Sequence, residues 1–155
     1  MTAVPLKLNS EALAEARTFF EDRGSHGLEG TAMLAGSPER GLIDHLLIPE
    51  QKATRTAYGV AVEVTQQGKL EIAAGLRPGE RWMSRIHSHP DEAFHSSTDD
   101  RNPVLTAERS LSIVVPFYGL GLRHGLGACA TFIRRNGRWQ EIEPQSLADY
   151  LVEVG

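Results

Sequence analysis

Cysteine is nearly missing from this chain of 155 residues: Cys129 is the only one. A single thiol excludes an internal disulfide and any cysteine-rich zinc framework, so a metal would have to be held by histidine and carboxylate. Long apolar runs are missing too. No stretch approaches the roughly 20 residues that cross a bilayer, and the opening MTAVPLKL has no positive stretch leading into an apolar core. These absences predict a soluble, cytoplasmic protein with no membrane partner. There is also no surplus of basic residues, since 16 Lys and Arg against 20 Asp and Glu leave a formal net charge of −4. A phosphate backbone would find little to neutralise, so nucleic acid is not an expected partner. Repeats, low-complexity tracts and long linkers do not occur.

What is present suffices for one compact domain, expected over residues 1–155, with 41% hydrophobic residues to build its core. Helical and strand periods alternate along the chain, which predicts an α/β fold with a central sheet. Ser10 can cap a first helix whose apolar positions Leu13, Ala16 and Phe20 recur at helical spacing, with Gly24 as a stop. Strand patterns follow at 29–35, 42–48, 58–65, 70–73, 82–88, 111–116 and 128–135. Asn136-Gly137 then reads as a hairpin turn into a strand over 138–142. Residues 145–154 read as an amphipathic closing helix.

The stretch RIHSHPDEAFHSSTDD, residues 85–100, concentrates the polar chemistry. His87 and His89 stand at the exit of a strand that Pro90 ends. Residues two apart on a strand project to one face, about 7 Å apart along the backbone, which suits two imidazoles converging on one ion. Ser88 points the other way. A catalytic zinc site takes three protein ligands and leaves the fourth position to water, and Asp100 could swing back to complete such a set. A structural reading stands beside this one. Ser97 followed by Asp100 also resembles a capping box at a helix start, although Pro103 would shorten such a helix.

The letters themselves match a known pattern. His87, His89, Pro90, Ser97 and Asp100 fill every fixed position of H-x-H-P-x6-S-x-x-D, and the stretch resembles the JAMM (JAB/MPN-plus) metalloproteases. That family also carries a glutamate in an early strand reading approximately E-x-x-G-x-L-x-G. Here Glu29, Leu34 and Gly36 match it, with Ala32 in place of the first glycine. A strand ending in Pro116 and a hairpin carrying Trp139 look like the later part of prokaryotic JAB domains, so the resemblance covers most of the chain. It implies a central mixed β-sheet flanked by helices.

The resemblance also implies roles. His87, His89 and Asp100 would hold one Zn²⁺ with a bound water, whose pKa such an ion brings from about 9 toward about 7. Glu29 would take the water proton and deliver it to the departing amine, and Ser97 would donate a hydrogen bond to the oxygen that becomes negative. The substrate class implied is a ubiquitin-like protein or its conjugates, cut after the C-terminal tail. Activating and conjugating enzymes are the implied companions. Alternatives are a catalytically silent module of the same fold that binds such a modifier or a conjugation enzyme, and a peptidase that processes sulfur-carrier proteins. Segments 49–58 and 101–110, where eukaryotic relatives carry long insertions, are short here and predict a broad choice of linkage.

Other readings of the same letters fail or stay bland. The metallo-β-lactamase pattern H-x-H-x-D-H would need a histidine where Glu92 stands, and a cupin would need its glutamate later. Relatives associated with DNA repair share H-x-H-P and a downstream aspartate, but Glu29 in its strand favours the peptidase branch. Asp99 falls one residue short of the ligand spacing, and His95, Asp91 and Glu92 read as loop residues. His26 and His45 lack partner spacing and read as surface or satisfied structural histidines. Cys129, Trp82 and Trp139 read as packing residues.

Overall fold

Two segments with apolar residues on both faces, TAMLAGS and RWMSRIHS, form the strands at the centre of the molecule. In the computed structural model, which describes residues 4–56, 59–93 and 105–155, they are β2 (Thr31–Ser37) and β6 (Arg81–Ser88). Each is buried along most of its length, as a strand covered on both sides must be. Along β2 the side chains alternate between two cores. Ala32 and Leu34 join a large cluster with Leu13, Ala16 and Phe20 of α1 (Ser10–Ser25), while Met33 and Ala35 meet Ile72 of α2 (Gln66–Ala74). The sheet is therefore covered by a helix on each face.

The main sheet also contains β1 (Leu6–Asn9), β3 (Leu42–Leu47), β7 (Leu111–Val115), β8 (Ala130–Arg135), β9 (Arg138–Glu141) and β10 (Leu151–Val154). Its order is β10-β1-β3-β2-β6-β7-β8-β9. Pairs β1–β10, β1–β3 and β6–β7 are parallel and the others antiparallel, so the sheet is mixed as expected. Among the described residues β4 (Gln51–Thr56) and β5 (Gly59–Val64) pair with each other as a separate two-stranded sheet. In a sheet with parallel neighbours, the crevice beyond their carboxyl ends is where ligands bind. Here those ends are Ser88 of β6 and Val115 of β7.

Several local expectations are corrected. The first helix is capped by Asn9, whose Oδ1 accepts from the N–H groups of Glu11 and Ala12 at 2.9 and 3.2 Å. Ser10 instead donates its hydroxyl to Val154 O at 2.9 Å, so it ties the chain's two ends together. Residues 70–73 are not a strand but part of α2. Thr65 caps that helix by accepting from Gly68 N–H at 3.0 Å, and a short apolar run does not distinguish helix from strand by period alone. The closing helix is also absent. Residues Pro144–Asp149 make a 3-10 turn, and Leu151–Val154 add to β1 as a parallel strand. Two strands went unread: β1, and β4 within the segment 49–58. The Asn136-Gly137 hairpin holds, with φ of 53° and 74°, the left-handed pair that a type I′ turn requires.

Candidate metal and catalytic centre

His87 is paired across the sheet with Thr31 of β2 and Val114 of β7. The parallel ladder continues one residue beyond β6, where His89 N–H donates to Val115 O at 2.9 Å. Both histidines are buried, each 5% exposed, and their ring centres stand 5.0 Å apart with planes tilted by 53°. This spacing tests whether one ion fits between them. An ion bound by a ring nitrogen at about 2.0–2.1 Å lies about 3.2 Å from the ring centre, so two rings in tetrahedral positions stand about 5 Å apart. The observed separation fits.

Glu29 stands just ahead of β2, the strand beside β6. Ser88 N–H donates to Gly30 O at 2.9 Å, and Gly30 N–H donates to Ser88 Oγ at 2.9 Å. These bonds carry the Thr31–His87 register one step further, so Glu29 comes level with His89. Opposed residues of an antiparallel pair share a face, which gives Glu29 the face of the two histidines. The glutamate is 8% exposed. Its backbone is anchored by Arg23 of α1, whose Nε donates to Glu29 O at 2.7 Å. Gly30 permits this approach, because a Cβ there would stand 2.8 Å from Arg23 Cδ and 3.0 Å from Phe19.

The histidine loop is held by an unusual turn after β7. Phe117 and Tyr118 have φ of 56° and 53°, a left-handed conformation that costs an L-residue about 1–2 kcal/mol. Their N–H groups donate to Asp91 O at 2.8 Å and His89 O at 2.7 Å, which fixes the backbone just past the histidines. α1 supports this turn closely: a Cβ on Gly24 would meet Tyr118 O at 2.1 Å, and one on Gly119 would meet Phe20 at 2.6 Å. One helix thus braces both Glu29 and the His87–His89 loop.

Gln51 is a positioning residue that sequence reading missed. Its amide accepts from Thr31 N–H at 2.8 Å and donates to Thr31 O at 2.9 Å and Pro49 O at 2.8 Å. It therefore pairs with the Glu29-bearing chain where β3 has already ended, and it ties β4 to β2. Nothing in the local sequence marks this, because the two partners lie 20 residues apart. Gln51→Ala would strand a donor and two acceptors, each costing about 1–3 kcal/mol if water does not replace the bond. Turnover is expected to fall about tenfold or more through misplacement of Glu29. Metal content should stay unchanged; a variant with full kcat would show that the contact does not position the site.

Ser97, Asp99, Asp100 and His95 lie outside the described residues. Among the described residues no group of three or more His, Cys, Asp or Glu side chains could hold a metal, and of the three ligands the sequence suggested only His87 and His89 fall among them. The remaining singled-out residues have other employment. Asp91 and Glu92 are exposed. His45 Nδ1 bonds Glu80 Oε1 at 2.9 Å, and His26 Nδ1 meets Asp22 O at 3.0 Å. Burial would raise the Glu80 carboxyl, but the Arg77 N–H and His45 outweigh it and hold it below its ordinary value. Trp82 donates to Ile72 O at 3.0 Å, and Trp139 lies under the Arg85 guanidinium at 4.6 Å.

Burial pushes the Cys129 thiol up to about 12. At pH 8 about one molecule in 10⁴ would then carry the reactive thiolate. Native protein is expected to resist a thiol reagent at that pH and to label fully in denaturant; rapid native labelling would contradict the packing role.

The fold has known counterparts. A JAB1/MPN domain protein from Archaeoglobus fulgidus superposes with a TM-score of 0.51 at 16% identity, over 97% of this chain and all of that one. A solution structure of protein DSY2949 from Desulfitobacterium hafniense gives a TM-score of 0.59 at 13% identity, over 96% and 92% of the two chains. The fold is therefore of the JAB1/MPN class. No family model matches the sequence. A "probable metalloprotease", y4jG of Sinorhizobium fredii, is 33% identical over 150 residues, spanning 95% of this chain and 92% of that protein. The chain belongs to this family of JAB1/MPN-type metalloproteases. No helix among the described residues is long and apolar enough to cross a membrane.

Proposed function

We propose that this protein is a zinc-dependent peptidase of the JAMM type that hydrolyses the amide bond following the C-terminal tail of a ubiquitin-like protein. The observation that carries this reading is the pair of buried imidazoles 5.0 Å apart, with Glu29 on the same face by strand register. The kinship with a probable metalloprotease supports it. His87, His89 and Asp100 would hold the ion, and the ligand set of nitrogen and oxygen suits Zn²⁺. When bound, the ion supplies Lewis acidity and makes a hydroxide available at neutral pH.

The chain's own residues do the rest. Glu29 accepts a proton from the attacking water and passes it to the amine nitrogen as the C–N bond breaks. Its strand is pinned to Ser88 on one side and to Gln51 and Arg23 on others, so the carboxylate needs little reorganisation to serve both transfers. Ser97 donates a hydrogen bond to the carbonyl oxygen as it gains charge. An extended tail can add as a strand beside a backbone edge, and β4, which among the described residues pairs with β5, lies beside Thr31 through Gln51.

The test is cleavage of a fusion in which the scissile amide follows the tail of a candidate ubiquitin-like protein, with and without a chelator. Cleavage lost with chelator and restored by Zn²⁺ is the expected result. Binding of the modifier with no cleavage at one equivalent of zinc would instead establish the catalytically silent module.

A further inference from the structure

Lys7, Arg40, Arg81, Arg109 and Arg135 come from five separate segments, yet all line one cleft of about 1060 Å³. It lies at the amino end of β6, where Arg81 begins the strand that ends at the histidines. At about 3.3 Å per residue this is about 20 Å from His87. The curl of the sheet closes the cleft: Arg135 at the end of β8 donates to the Tyr150 hydroxyl, just before β10, at 3.1 Å, and its guanidinium lies 5.4 Å from that ring. Five of the chain's 16 basic residues face this space, against Glu39, Glu108 and Asp149 of its 20 acidic ones.

The three acids offset the positive charge only in part and leave the cleft a net +2. Lys7, Arg40, Arg81 and Arg109 form no ion pair with any described residue. Glu108, the acid closest in sequence to Arg109, is occupied by the hairpin turn: its carboxylate accepts from the N–H groups of Gly137 and Asn136, each at 2.9 Å. Arg109 itself has φ of 69°, a conformation unfavourable for arginine. Its N–H bond to Arg134 O at 2.8 Å holds it there. Backbone strain kept at a cation that faces a cleft is a feature of ligand-facing positions.

We infer that this cleft is a docking site for an acidic polypeptide segment of a partner protein. The cations are spread over β1, the β2–β3 turn, the start of β6, the turn before β7 and the end of β8. A compact phosphate would reach few of them, whereas an extended chain with several carboxylates can meet them in turn. Five cations against three acids give the cleft a net +2, so in a chain of net −4 the remaining residues carry −6, which repels an acidic segment elsewhere on the molecule and confines it to this face. The inference does not depend on the peptidase reading, because it concerns residues remote from the histidines.

The test is fluorescence anisotropy of a labelled octaglutamate peptide with the full chain, at low and at physiological salt. Octaglutamine and a ten-nucleotide single-stranded DNA serve as comparison probes. Octaglutamate is expected to bind, to weaken as salt screens the charges, and to bind better than either comparison probe. The exposed pair Arg40→Ala and Arg81→Ala should lower its affinity about tenfold or more, while the control pair Arg17→Ala and Lys69→Ala, with the same charge change outside the cleft, should leave it within about twofold. Equal losses from both pairs, no preference over octaglutamine, or tighter binding of the DNA would each overturn the inference.

Discussion

Glu29→Gln is expected to keep its metal and lose its turnover. The substitution preserves size and shape, so the strand bonds that Gly30 makes to Ser88 and the Arg23 bond to the Glu29 carbonyl survive. What disappears is the ability to hold a proton between water and amine. General acid–base contributions of about 10²–10⁴ in rate set the floor of the loss, and two transfers depend on this one carboxylate. Zinc content should stay at one equivalent by elemental analysis, and the melting temperature should move by only a few degrees. Full activity of the variant on a verified fusion would remove Glu29 from the mechanism, whatever the metal does.

His87→Ala is expected to lose both metal and activity. Two imidazoles and one carboxylate are the whole proposed ligand set, so removing one ring leaves a weak chelate. The loss of affinity should exceed the roughly 10–100-fold that an outer-shell change costs. His87 is also the interior residue of the pair, buried between Thr31 and Val114, so folding must be separated from binding. Thermal melting with and without chelator does this. A metal that binds only the folded state stabilises it by mass action, so chelator should lower the melting temperature of the parent and leave that of the variant unchanged. A variant that still holds stoichiometric zinc would break the ligand assignment.

These two outcomes differ because of where the residues stand, and the sequence revealed the two sides unequally. The H-x-H-P spacing is a local signal. Side chains two apart on a strand share a face wherever that strand lies, and Pro90 ends the ladder whatever its neighbours. Asn136-Gly137 is local in the same sense, since its turn is made by its own backbone torsions. The early glutamate was legible only as part of a pattern of letters. That it shares a face with the histidines follows from the Gly30–Ser88 pairing across 58 residues, which no local window contains.

The errors fall along the same line. Leu151–Val154 has a helix-compatible pattern and becomes a strand because β1 offers it a parallel edge at the far end of the chain. Residues 70–73 alternate like a strand and become helical because Thr65 supplies a cap and the sheet needs a cover over Met33 and Ala35. Gln51 gave no sign of its role, since an amide is worth nothing to a site until a strand end lies unpaired beside it.

The sequence by itself determined the kinds of donor available, their spacing along the chain, the exclusion of cysteine ligands and the alternation of helix and strand. These depend on covalent order and short-range geometry. Only the tertiary structure decided which strands became neighbours, that one helix braces both the glutamate and the histidine loop, and that five scattered cations share a cleft. Those depend on pairing between distant segments, where each contact is favourable only because the others have already formed.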